Sequence, residues 1–175
     1  MKKTLYLLIS LCFAAFLFVF GGCDFMTTSN FMGTSNKNDN TTNKVYYLGE
    51  TATTSENVDY IVTSVKNTTK IGSEETENNF IIVTVKITNN GKEVWDKSPS
   101  SFILLCDGAE YEYNFDATLS LPDHMSYFTE INPGISKTVN IAFETPNKST
   151  ESLYSIKLER YSAQDSITIK LQERE

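Results

Sequence analysis

Alternation along the chain constrains this fold more than any other feature. In "NFIIVTVKITNNGK", residues 79–92, Ile81, Val83, Val85 and Ile87 fall on one face of an extended chain. Thr84, Lys86 and Thr88 fall on the other. That is the period of a half-buried β-strand, and Asn89-Asn90-Gly91 is the turn signal that ends it. "SKTVNIAFETP" repeats the pattern with Val139, Ile141 and Phe143 inward, and Pro146 stops it. Towards the end Tyr154, Ile156 and Leu158 alternate with Ser155, Lys157 and Glu159. Ile167, Ile169 and Leu171 then alternate with Ser166, Thr168 and Lys170. No stretch after residue 44 carries a sustained helical period.

"FILLCDGAEYEYNF" predicts a hairpin, Phe102–Cys106 and Ala109–Phe115, because Asp107-Gly108 suits a two-residue primed turn. Tyr111, Tyr113 and Phe115 share one parity and Glu110 and Glu112 the other. "VDYIVTSVK" is also strand-like, but both its faces carry apolar residues, so periodicity does not assign its inward side. Roughly eight or nine short strands separated by turns predict an all-β, two-sheet antiparallel β-sandwich. Trp95 has no disulfide to pack on, so the Cys…Trp…Cys signature of antibody domains is absent.

The N-terminus sets the compartment. Lys2 and Lys3 precede an uncharged stretch centred on "LYLLISLCFAAFLFVF", the charged start and apolar middle of an export signal. Gly21 and Gly22 are small enough for a signal peptidase groove, and Cys23 supplies a thiol for diacylglycerol. With Phe20 in the aliphatic place, this resembles the lipobox of bacterial lipoproteins. Residues 1–22 are therefore expected to be a lipoprotein signal peptide and Cys23 a lipidated, palmitate-bearing residue. An uncleaved N-terminal anchor is the alternative, and either places the remaining chain outside the cytoplasmic membrane. Residues 23–44, largely "TTSNFMGTSNKNDNTTNK", hold too little apolar surface to order themselves and predict a disordered tether. About 18 such residues reach roughly 25 Å. Residues 45–175 are left as one domain, with Cys106 its only cysteine and hence no internal disulfide.

The stretches "NFIIVTVKITNNGKEV", "SSFILLCDGAEYEY", "INPGISKTVNIAFETP" and "SLYSIKLER" together resemble the bacterial extracellular family called domain of unknown function 4352. The resemblance covers about residues 45 to 172. It implies an immunoglobulin-like sandwich behind a signal peptide and tether, commonly in a lipoprotein. Its motifs are turn glycines and core aromatics, which identify a fold rather than an activity.

Candidate chemistry is sparse. His124, the single histidine, follows Pro122 with no Gly-x-Ser-x-Gly to complete a triad. Cys106 has no basic neighbour in sequence to activate it and reads as a small buried residue. Glu74, Glu75 and Glu77, and Asp107, Glu110, Glu112 and Asp116, lack the alternating oxygen donors of a calcium loop and read as solvated faces. No cofactor or metal is expected. Most tyrosines fit core parity. Tyr127 with Phe128, next to His124, and Tyr46 with Tyr47 each leave one ring facing out, and Tyr127, Phe128 and His124 form the candidate recognition surface.

With 22 Asp plus Glu against 15 Lys plus Arg, nucleic acid is not the expected partner. The expected function is a non-catalytic binding or accessory module of the cell envelope. It would be held to the membrane through the lipid on Cys23 and meet an envelope protein or cell-wall ligand. A structural or adhesive surface protein is the alternative, and a small hydrolase or metal carrier a more distant one.

Overall fold

The computed structural model describes residues 44–147, 153–158 and 167–174. The expected signal peptide, Cys23 and the expected tether up to residue 43 lie outside them, whereas Lys44, expected to be the last tether residue, begins a strand. In chain order the elements begin with β1 (Lys44–Tyr47), β2 (Ala52–Thr53), β3 (Val58–Ile71), β4 (Glu74–Asn89) and β5 (Trp95–Lys97). A 3-10 turn at Pro99–Ser101 leads into β6 (Phe102–Cys106) and β7 (Ala109–Tyr111). Helix α1 (Phe115–Leu119) precedes β8 (Thr129–Ile131), β9 (Ser136–Thr145), β10 (Tyr154–Leu158) and β11 (Ile167–Lys170). Two sheets, ordered β1-β11-β10-β6-β7 and β2-β3-β4-β9, form an immunoglobulin-like β-sandwich. β5 and β8 make a separate two-stranded ribbon.

The core follows the alternation. Ile81, Val83, Val85 and Ile87 of β4 and Val139, Ile141 and Phe143 of β9 are buried, opposite Phe102, Leu104, Ile156, Ile167 and Ile169 of the other sheet. Lys86, between two core residues, is exposed. An aromatic trio forms part of this core. Tyr60 meets Trp95 and Phe102 edge-on, at 6.3 and 6.1 Å between ring centres, and Trp95 Nε1 donates to the Tyr60 hydroxyl at 2.7 Å.

β3 explains its own ambiguity. Val58, Tyr60 and Val62 pair inward with β4, but the register shifts between Val62 and Ser64, after which Val65 faces Val83. One extra residue reverses the parity, so apolar residues occupy both alternate sets.

The predicted hairpin is present with a shorter second strand. Asp107 (φ 50°) and Gly108 (φ 82°) have the left-handed backbone of a primed turn. β7, however, stops at Tyr111 instead of running to Phe115. Tyr113 then bridges to Phe143 in the other sheet, Asn114 caps α1 with Oδ1 on Ala117 N at 3.0 Å, and Phe115 is exposed. Helix α1 packs Ala117 over Phe80 and Ala142 on the outer face of the second sheet. Glu74, Glu75 and Glu77, which the sequence places together in a loop, belong instead to the start of β4.

The chain from Tyr113 to Met125 straps the free edge of β9. Asn114 N and Met125 N donate to Ala142 O and Asn140 O, Asn140 N donates to Asp123 O, and Ala142 N donates to Thr118 Oγ1. The opposite edge, along β3 beyond β2, carries Lys66 and Lys70 and two register shifts. Both are devices that discourage strand addition.

Candidate functional site

The strap delivers the chain to the exposed aromatic pair. Ser126 N donates to Thr129 Oγ1 at 3.0 Å, and that hydroxyl donates back to Ser126 O at 3.0 Å, closing a tight turn. Thr129 is buried and anchors it. The two residues left at the tip, Tyr127 and Phe128, are 56% and 87% exposed, with ring centres 6.1 Å apart and planes tilted by 58°. Tyr113 lies beneath. Burial, and then the Tyr127 hydroxyl beside it, pushes the Tyr113 phenol up from its ordinary pKa.

His124 is close in sequence but differently employed. Its backbone bridges to Asn140, and its half-buried ring donates from Nδ1 to Leu121 O at 3.2 Å. It supports the strap that carries Tyr127 and Phe128. Cys106 is fully buried, its sulfur 3.7 Å from Asp107 Oδ2, in a strand pairing with Ala109 and Tyr154. The structure therefore gives Cys106 and His124 different partners on different elements. Tyr46 and Tyr47 are both half-buried, and Tyr47 lies under Lys170 Nζ at 5.3 Å and Arg174 Cζ at 4.7 Å.

After the aromatic turn, β8 pairs with β5 in the register Trp95 to Ile131, Asp96 to Glu130 and Lys97 to Thr129. Trp95 and Ile131 are buried, so Asp96 and Glu130 point to solvent directly across from one another. The sequence did not disclose this pair, because each strand has three residues and nothing local links them.

A cavity of about 400 Å³ lies on the β5 side of the ribbon, lined among others by Glu56, Asn89, Lys92, Trp95 and Asp96. Its floor is structural. Asn89 is buried, donates from Nδ2 to Glu93 O and Ile131 O at 2.8 Å each, and accepts Gly91 N on Oδ1 at 2.9 Å. Its main chain pairs with the Asn132-Pro133-Gly134 turn: Asn89 N donates to Ile135 O, and Gly134 N to Asn89 O. A Cβ on Gly91 would stand 2.8 Å from Glu56 O, so that residue is fixed by space.

Elsewhere Glu144 accepts Thr76 Oγ1 at 2.5 Å and the amides of Asn78 and Asn114 at 3.1 Å each. The hydrogen bonds from Thr76 and Asn78 hold its carboxyl below the ordinary carboxylate pKa. Glu110 pairs with Lys157 at 3.2 Å and Glu75 with Lys70 at 3.3 Å. Among the described residues no group of three or more His, Cys, Asp or Glu is placed to hold a metal, and no helix is long and apolar enough to cross a membrane.

Among solved structures, the chain is similar to YcdA, a candidate lipoprotein of Bacillus subtilis. The match has a TM-score of 0.56 and 16% identity, over 70% of this chain and 38% of that one. It thus spans well under half of YcdA. YjhA of Bacillus subtilis matches with a TM-score of 0.56 and 16% identity, over 73% of this chain and 99% of that one. A conserved hypothetical protein of Bacillus anthracis matches at 0.52 and 21%, over 63% and 87%. At these identities the likeness is one of fold. No curated protein matches the sequence. The family model described as "Domain of unknown function (DUF4352)" matches residues 46–167, most of the sandwich and its turn motifs, and the chain belongs to that family.

Proposed function

We propose that this protein is an extracytoplasmic lipoprotein, anchored to the cell membrane through Cys23, whose sandwich is a non-catalytic binding module of the envelope. The observation that carries the reading is the turn that holds Tyr127 and Phe128 out of the core. Burying a Phe side chain stabilises a fold by roughly 1.5–3 kcal/mol, and Phe128 forgoes nearly all of it at 87% exposure. Exposed rings on a pinned turn suit recognition of a partner at low entropic cost. The groups from which catalysis might have been built are engaged in the framework, His124 with Leu121 and Cys106 in the core.

On the β2-β3-β4-β9 sheet, contact through loops fits better than contact through strands, since the strap covers β9 and the β3 edge is interrupted and lysine-bearing. The tether joins at Lys44, where β1 starts level with Ile167 of β11, and the aromatic turn lies on the flank nearer β9.

Anchoring and recognition are tested separately. Cys23→Ala abolishes fatty-acid labelling of the protein in growing cells, and unchanged labelling would end the lipoprotein reading. Tyr127→Ala with Phe128→Ala removes cross-links to an envelope partner on intact cells while leaving the melting curve in place. Unaltered cross-linking in that variant moves recognition to another surface.

A further inference from the structure

We infer that the outward face of the β5–β8 ribbon, with Phe128 at its end, docks a lysine- or arginine-rich segment of another envelope protein. The inference rests on the recognition surface proposed above and names the chemistry of its partner.

Like charges directly opposite one another on paired strands weaken the pair. Asp96 and Glu130 stand in that position. Both are exposed, and neither takes a hydrogen bond or ion pair through its carboxylate among the described residues. Several acids elsewhere are matched, Glu110 to Lys157, Glu75 to Lys70, Glu50 to Arg174 and Glu144 to three neutral donors, and what sets Asp96 and Glu130 apart from unmatched acids such as Glu77 is that they stand directly across from one another. A cation seated between Asp96 and Glu130 turns their mutual repulsion into attraction to itself.

The apolar neighbours suit the rest of such a side chain. Two residues before Glu130 is Phe128, 87% exposed, and two before Asp96 is Val94, 48% exposed. An aromatic face attracts an ammonium or guanidinium group, and an exposed valine can cover its methylene stem. The acidic balance of the chain, 22 against 15, steers a basic partner towards it and an anionic one away.

The probe is fluorescein-labelled octalysine, titrated by anisotropy into the full-length protein in non-ionic detergent. Asp96→Asn with Glu130→Gln weakens binding about tenfold, and Phe128→Ala about threefold to fivefold. Glu77→Gln with Glu173→Gln, equally reducing the net charge at exposed positions away from the ribbon, changes it less than twofold. Equal weakening in that control would mean general attraction to an acidic protein and overturns the inference. So does binding that the ribbon variants leave unchanged.

Relieving the repulsion also raises the melting temperature of the Asp96→Asn, Glu130→Gln variant by about 1–2 °C. Weaker binding by it is therefore not unfolding, and a lowered melting temperature removes the premise. A photo-reactive phenylalanine at position 128, irradiated on intact cells, separates this inference from the function it deepens. An adduct on a Lys- or Arg-rich segment supports both. An adduct on a neutral or acidic segment, or on a second copy of the chain, keeps the recognition surface and overturns the cationic partner. No adduct overturns both.

Discussion

Asn89 and Asp96 are a few residues apart, yet their surroundings are opposites. Asn89 is 1% exposed, and its side chain and main chain make five hydrogen bonds that join the end of β4 to the loop before β5 and to the Asn132-Pro133-Gly134 turn. Asp96 faces solvent opposite another carboxylate. The comparison separates two uses of polar residues. Around Asn89 each group is consumed in closing the sandwich, so the turn motifs that mark the family are explained by folding alone. On the outward face of the ribbon the Asp96 and Glu130 carboxylates make no such bonds among the described residues, and their opposition works against the strand pair instead of for it.

The largest expected effect breaks the Asn89 corner. Asn89→Ala leaves the Glu93 and Ile131 carbonyls and the Gly91 N–H without their partners, and should cost about 2–4 kcal/mol by urea unfolding. A loss below about 1 kcal/mol would mean that water substitutes for the amide and that the corner is not a lock. Gly91→Ala attacks the same corner through space. Its new methyl must displace Glu56 O from 2.8 Å, at a cost of about 1–3 kcal/mol.

Glu144 sharpens the comparison from the side of the carboxylates, because it has the donors that Asp96 and Glu130 lack. Its folded pKa is depressed below the ordinary 4.5, so the stability it contributes is present above that value. It is lost as pH falls through the folded pKa. Glu144→Gln should therefore cost about 1 kcal/mol at neutral pH and progressively less on acidification, converging with the parent once the carboxyl is protonated. Thermal melts from pH 7 down to about pH 3 check this, and a difference that persists unchanged at the acid end would assign the cost to shape and not to charge.

Much of this division was visible in the sequence where periodicity ran long enough. β4 and β9 have ten or more residues each, and their inward sets were read correctly from alternation. β3 was legible as a strand but not in its facing, because the register shift after Val62 leaves no mark in composition. The segment after Tyr111 continued the alternation of Tyr111, Tyr113 and Phe115, yet Tyr113 crosses to the other sheet and Asn114 starts a five-residue helix too short to show a period. Of the candidate site, Tyr127 and Phe128 stood out as adjacent rings that one strand face cannot both bury. The ionic half of the ribbon depends on pairing between positions 96 and 130, which only the tertiary structure supplies.

The smallest expected change is also the one that bears most on the contrast. Phe128→Ala removes a ring whose aromatic neighbour is Tyr127 at 6.1 Å and which is 87% exposed, so little buried area is lost. The turn beneath it is held by Ser126 and Thr129, neither of which is altered. Stability should change by less than about 0.5 kcal/mol, against several for Asn89→Ala, although the aromatic side chain is the larger deletion. Paired urea melts of the two variants give the comparison directly. If Phe128→Ala costs more than about 1.5 kcal/mol, the ring is packed in solution, the flank belongs to the framework as Asn89 does, and the recognition surface must be sought elsewhere.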